Sequence, residues 1–250
     1  MAHLTLRNVS LSFPIYHGGA RSLKRAVLAA AMPGNLKARD HGRVTVSALK
    51  DINLDLRAGD RLALIGANGG GKTSLLKLMG GIYVPQEGVV ETEGNLRILL
   101  STTLGMSVNA TGWENILLMG LHMKIRPAEM RGHYAEIAKW SALGTYLDAP
   151  VRTYSAGMLA RLAFATATCF SPDILLLDEW LGVGDRDFQA NAQERLKSFV
   201  GGTSIVVLAS HSLPLVEAWC NKAILLENGR ITAQGSVAEI RARYENAQIR

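Results

Sequence analysis

One run of eight residues limits what this chain can fold into more than any other: Gly66-Ala67-Asn68-Gly69-Gly70-Gly71-Lys72-Thr73. It fits the spacing G-x-x-x-x-G-K-[ST] throughout, with Ser74 directly after it. In that pattern glycines let successive backbone N–H groups turn inward around a phosphate, and the lysine supplies a point charge. The context agrees. Arg61–Ile65 reads as a compact apolar strand, and Lys72 to about Gly80 reads as a helix. A helix that starts at the loop adds its positive end to an anion site. Lys72 is then the residue for the β- and γ-phosphates of a nucleotide, and Thr73 the hydroxyl for a Mg²⁺ ion.

Outward from that loop, the 250-residue chain reads as strands alternating with helices, which argues for a mostly parallel sheet. Residues 3–13 are a strand in which Leu4, Leu6, Val9, Leu11 and Phe13 alternate with one break. Residues 14–45 read as a basic insertion holding a short helical piece at Ala26–Met32. Val46–Leu56 is a strand, and 85–100 a hairpin with turns near Gly88 and Gly94. Helices are expected at 112–124, 127–142, 156–170, 187–199, 213–219 and 236–248. Strands are expected at 174–177 and 204–208, with a hairpin at 222–227 and 230–234. The helix-rich middle, about 105–165, forms a subdomain.

A second chemical segment is Ile174-Leu175-Leu176-Leu177-Asp178-Glu179. A buried strand that ends in carboxylates places charge at the sheet edge where open α/β folds bind ligands. Asp178 is suited to hold Mg²⁺ through its water shell, and Glu179 to polarise an attacking water as general base. The two segments together make a nucleoside triphosphatase. A GTPase is not indicated, because Asn221-Lys222-Ala223-Ile224 lacks the aspartate of a guanine-reading segment. The glutamate directly after Asp178 favours water over another acceptor. Tyr154-Ser155-Ala156-Gly157-Met158 adds a second helix start, with Ser155 as its cap.

Taken in order, the phosphate loop, Ser155-Ala156-Gly157-Met158, Asp178-Glu179, Gly184-Asp185 and His211 resemble the nucleotide-binding domain of ABC transporters. The resemblance covers essentially the whole chain and implies an α/β P-loop fold: a mostly parallel core sheet, an antiparallel β subdomain and a helical subdomain. It implies a single ATPase domain over 1–250 that works as a homodimer. The loop of one copy and Ser155, Ala156, Gly157 and Met158 of the other enclose each ATP. Asp185 then lies at the seam, and His211 senses the γ-phosphate. An aromatic stacks on adenine; Phe13 fits that position best and Tyr16 is the alternate. Phe13-Pro14-Ile15-Tyr16, Thr111-Gly112-Trp113-Glu114-Asn115-Ile116 and Asp178-Glu179-Trp180-Leu181-Gly182-Val183-Gly184-Asp185 resemble one branch, the exporters of O-antigen, capsule and teichoic acid.

That branch implies an ATP-hydrolysing subunit that drives a lipid-linked polysaccharide through a separate permease dimer. Its place is the cytoplasmic face of a bacterial inner membrane. Ending at Arg250, the chain is expected to carry no carbohydrate-binding domain. The family's loop glutamine has no counterpart in Leu100–Met106, where Thr103 is the substitute hydroxyl. Other transported substrates, a soluble ABC ATPase on ribosome or nucleic acid, and a non-catalytic nucleotide-binding regulator are the rival readings. Against the second stand the single nucleotide domain and the lack of a long coiled coil; the intact Lys72, Asp178 and Glu179 oppose the third.

Charge and composition narrow the partners. The net charge is +6, and much of the excess lies in Arg21, Lys24, Arg25, Lys37, Arg39 and Arg43. A solvated loop or contact with anionic inner-leaflet lipid accounts for it. No zinc-finger spacing, RNA-recognition signature or basic heptad helix points to nucleic acid. The longest apolar stretches, Ala26–Met32 and Ile205–Ala209, fall short of the roughly 20 residues a membrane span needs, and the N-terminus lacks a signal-like pattern. Cys169 and Cys220 lack ligand-like spacing and read as buried reduced thiols.

Overall fold

The computed structural model describes residues 2–15, 36–40, 43–99, 105–178, 186–210 and 212–248. They divide into two compact units, Met1–Gly94 with Val207–Arg250, and Asn95–Val206. The expected helix at Ala26–Met32 lies outside the described residues.

The first unit is built on an antiparallel sheet. Its order is β2 (Leu36–Asp40), β3 (Arg43–Arg57), β1 (His3–Ile15), β5 (Glu87–Glu93). Strand structure therefore reaches into both ends of the segment read as an insertion. The single break in β1's alternation is a β-bulge: the register with β3 shifts between Leu6 and Val9, and Asn8 takes φ 52°. With that extra residue, Leu4, Leu6, Val9 and Leu11 all reach the core. Beside it, β4 (Arg61–Ile65) pairs in parallel with β9 (Lys222–Glu227), and β9 pairs antiparallel with β10 (Arg230–Gly235). The first helix, α1 (Lys72–Met79), buries Leu75, Leu76, Leu78 and Met79.

The hairpin expected over 85–100 does not form. β5 pairs with β1, while β6 (Leu96–Leu99) pairs in parallel with β7 (Ile174–Asp178). Gly88 is not a turn residue. At φ 82° it sits against the bulge, where a Cβ would lie 2.3 Å from the Arg7 carbonyl. The composition explains the split: β5 is polar, as an edge strand should be, and β6 is apolar, as a parallel strand should be.

The second unit packs α2 (Gly112–His122), α3 (Pro127–Gly132), α4 (Tyr134–Ser141) and α5 (Ala156–Ala167). Its core is Ile116, Ile125, Met130, Ile137, Leu143, Leu147, Val151, Leu162 and Ala165. The helix expected over 127–142 is two, separated at His133 (φ −97°, ψ 0°). Gly132, a poor helix former just before it, accounts for the break. α6 (Arg186–Gly201) is fastened to this bundle by Arg195. Its Nε donates to Thr168 Oγ1 (2.7 Å), its Nη2 to Glu136 Oε1 (2.8 Å), and its guanidinium lies over Trp140 at 4.3 Å. β8 (Ile205–Ala209) stands at the division between the units, followed by α7 (Leu213–Trp219) and α8 (Val237–Gln248).

α2 opens on a reciprocal cap. Thr111 Oγ1 accepts from the Glu114 N–H at 3.2 Å, and Glu114 Oε2 accepts from the Thr111 N–H at 2.7 Å. Thr111→Ala removes one half of that exchange and is expected to destabilise the chain by about 1 kcal/mol, read by urea unfolding. Thr111→Ser, which keeps the hydroxyl, should stay within about 0.3 kcal/mol of the parent; equal losses in both would show that the hydroxyl is not what matters.

The two cysteines are free thiols. Cys169 Sγ donates to the Thr166 carbonyl, and burial pushes both thiols up to about 12. Among the described residues no helix is long and apolar enough to cross a membrane.

Candidate functional site

In the first unit, β4 delivers the chain into a loop that its own neighbours compress. Gly66 has φ 155°, and a Cβ there would sit 2.2 Å from the Leu226 carbonyl oxygen; at Gly70 the same oxygen would be 2.8 Å away. These glycines are required because β9 runs directly against the loop. The β9–β10 turn then locks it. Asn228 (φ 49°) and Gly229 (φ 76°) make the two left-handed positions of a tight hairpin. The Gly229 N–H donates to the Gly70 carbonyl (3.1 Å), and the Lys50 N–H of β3 donates to the Gly229 carbonyl (2.8 Å). The Gly70 N–H closes the curve on the Ala67 carbonyl at 3.1 Å.

Over this loop lies the Lys72 ammonium, donating to the carbonyls of Gly66 (2.7 Å) and Ala67 (3.1 Å). α1 begins there without a side-chain cap, with Gly71 in the left-handed region and no acid in the first turn. No residue of the helix itself therefore offsets its positive end, which suits that end to an anion. Ala67, Asn68 and Gly69 are exposed on the rim, as is Thr73 on the first turn, while Ser74 is half-buried. The structure brings the eight residues Gly66 to Thr73 together in one turn at the start of α1, and the sequence reading misses the Leu226 carbonyl and Gly229 that hold the turn's shape. Phe13, in the same unit, is half-buried near the end of β1.

In the second unit Ser155 caps α5: its Oγ accepts from the Met158 N–H at 3.2 Å. Ser155 and Ala156 are exposed, and Gly157 and Met158 half-buried. Gly157 differs from Gly66 and Gly70, which are crowded by the Leu226 carbonyl. Among the described residues only Ser155 Oγ, at 3.8 Å, would come near a Cβ there, so its own chain leaves room for a side chain. Asp178 ends β7 and is partly exposed, whereas the four residues before it are buried. Tyr16, Thr103, Glu179, Asp185 and His211 lie outside the described residues.

Sequence reasoning also left Asn115 without a role. It is fully buried on α2. Its Oδ1 accepts from the Ser107 N–H (2.7 Å), and its Nδ2 donates to the carbonyls of Ser107 (3.0 Å), Ala110 (3.1 Å) and Thr111 (2.9 Å). One side chain thus shapes the loop 107–111. An amide on the buried face of an apolar helix was the available signal, since such a group must find partners.

A strand, a compressed glycine turn, a lysine folded over it and an uncapped helix start make this a P-loop nucleotide-binding protein. The family model described as ABC transporter matches residues 49–182, and the chain belongs to that family. Its relatives include the O-antigen export system ATP-binding protein RfbE of Yersinia enterocolitica, 39% identical over 92% of this chain and 97% of that protein. The RfbB protein of Klebsiella pneumoniae, likewise an O-antigen export system ATP-binding protein, is 33% identical over 98% of both chains. The teichoic acids export ATP-binding protein TagH of Lactococcus lactis is 34% identical over 79% of this chain, which spans 42% of its length. Among solved structures, the ATP-binding cassette MJ0796, a dimer in a post-hydrolysis state with ADP and Pi, shares the fold with a TM-score of 0.66. Identity is 20% there, over 94% of this chain and 98% of that one.

Proposed function

We propose that this chain is the ATP-hydrolysing subunit of an ABC exporter of lipid-linked polysaccharide. It acts as a single-domain homodimer with a separate membrane permease, at the cytoplasmic face of a bacterial inner membrane. The observation that carries this reading is near-full-length identity of 39% to an O-antigen export ATP-binding protein, in a chain whose phosphate loop is structurally intact.

In this reading Gly66 to Ser74 hold the phosphates through backbone N–H groups, and Lys72 neutralises the β,γ end. Phe13 stacks on the base, with Tyr16 the alternate. A hydroxyl and one carboxylate, Thr73 and Asp178, would hold Mg²⁺. That donor set suits an ion that keeps several waters and takes other ligands from phosphate. Among the described residues no cluster of three or more His, Cys, Asp or Glu side chains offers an all-protein cage instead. Bound Mg²⁺ would supply charge neutralisation on the phosphates. Glu179 takes the proton of the attacking water, His211 contacts the γ-phosphate, and Asp185 lies at the dimer seam.

Gly157 supports the dimeric part of the reading. Among the described residues, nothing in its own chain crowds a side chain there. A γ-phosphate held by the opposite copy, approaching the exposed start of α5, would. The Ser155 hydroxyl and the first N–H groups of that helix are then its donors.

The test is a pull-down from native membranes with tagged Glu179→Gln held in ATP, a substitution that removes the base and leaves Asp178 and Thr73 in place. The expected result is a multi-helix membrane protein recovered in equal amount. Recovery of ribosomes, nucleic acid or soluble partners in its place would sink the exporter reading and leave the ATPase standing.

A further inference from the structure

Phe13 does not stand alone. Tyr83 meets its ring edge-on, with centroids 5.1 Å apart and planes at 70°. Whichever ring offers its edge, Tyr83 leaves at least one face of Phe13 uncovered. Tyr83 belongs to a short segment, 82–86, that is fastened at both ends. At the α1 end, the N–H groups of Ile82 and Tyr83 donate to the Lys77 carbonyl (2.9 and 3.3 Å), and the Lys77 ammonium lies 5.6 Å from the Tyr83 ring centre. At the β1 end, the Gln86 N–H donates to the Ser10 carbonyl at 3.0 Å. Its side-chain amide then copies a strand neighbour: Oε1 accepts from the Ser12 N–H (2.6 Å), and Nε2 donates to the Ser12 carbonyl (3.1 Å).

The segment therefore ties the helix that starts at the phosphate loop to the strand residue directly before Phe13. Its flanking side chains do nothing comparable, since Ile82 and Val84 are 41% and 80% exposed. Tyr83 and Gln86 turn back onto β1.

We propose that Tyr83 and Gln86 are positioning residues for a purine nucleotide, holding the Phe13 ring at a set distance and angle from the Gly66–Thr73 loop. The proposal rests on the reading of Phe13 as the base-stacking side chain. Tyr83 acts by limiting the rotamers open to Phe13, and Gln86 by fixing the backbone next to it. Neither touches the phosphates. Both therefore govern how tightly a base is gripped once the phosphates are seated, and not the seating itself.

The experiment is calorimetric titration of the whole chain with ADP and with pyrophosphate, its base-free counterpart. Tyr83→Leu is expected to weaken ADP about three- to tenfold, the range for loss of an aromatic pair, and to leave pyrophosphate within about twofold. Tyr83→Phe keeps the ring and should bind ADP like the parent. In a Phe13→Ala chain, Tyr83→Leu should add nothing. Gln86→Ala leaves every ring in place and should give the same selective loss, which covers the case in which Tyr83→Leu does not fold. An equal loss for both ligands, no loss for either, or an undiminished effect without Phe13 would overturn the brace. If Phe13→Ala itself leaves the ratio of ADP to pyrophosphate affinity unchanged, the base-stacking role of Phe13 is what fails, and the brace with it.

Discussion

Lys72→Ala should lower steady-state ATP turnover by about 10²- to 10³-fold, the usual consequence of removing one preorganised charge-stabilising group from a reacting centre. The geometry makes the effect local. The ammonium is already held over the loop by the Gly66 and Ala67 carbonyls, at 2.7 and 3.1 Å, so little reorganisation separates this arrangement from one that meets phosphate oxygens. Lys72→Arg should not rescue it, because a planar guanidinium cannot replace a point charge inside a turn compressed by Leu226. Phosphate release from the purified chain measures the loss, and a parallel melting curve should stay within a few degrees of the parent. Glu179→Gln serves as the contrast: it should lose turnover while still retaining ATP, whereas Lys72→Ala loses both. Turnover near the parental value in Lys72→Ala would remove the loop from the chemistry altogether.

The largest effect on stability is expected at Asn115. Asn115→Asp keeps an acceptor for the Ser107 N–H but turns the donor side into an oxygen facing the carbonyls of Ser107, Ala110 and Thr111. A buried charge among three acceptors should cost about 3–5 kcal/mol at neutral pH, lowering the melting temperature by on the order of 10 °C. The sign of the pH dependence follows. The folded state favours the protonated acid, so the introduced group has a raised pKa when folded. Its proton-bound contribution is present below the unfolded carboxylate range near pH 4 and is lost as pH rises through the folded value. The deficit of Asn115→Asp relative to the parent should therefore shrink on acidification. Asn115→Leu should also destabilise, by orphaning the Ser107 groups, but with no such pH dependence. A deficit in Asn115→Asp that is flat with pH would show that the charge is not what matters.

Much of this could be read in advance where one local rule governs. The phosphate loop was legible because the spacing of its glycines and lysine between a strand and a helix is a local pattern, and even the bulge at Asn8 was written in β1 as a skipped beat between Leu6 and Val9. α7 and the β9–β10 hairpin were likewise bounded by their own Pro, Asn and Gly residues. What could not be read was partner choice. β5 and β6 each look like a strand, and nothing between them states that they join different sheets; only the contrast of a polar and an apolar strand hints at it. The supports of the site were hidden for the same reason. The Leu226 carbonyl, Gly229 and Gln86 act on segments distant in the chain, the first two through backbone groups, which have no letter of their own.

Burial pushes both native thiols up to about 12, which keeps them protonated at neutral pH. Neither native thiol is therefore primed as a nucleophile at neutral pH. A cysteine introduced at an exposed position, such as Ala156 at the start of α5, should take up a maleimide dye or spin label faster than the half-buried Cys169 and Cys220. Distances between two copies, with and without ATP, could then be followed in an otherwise unaltered chain.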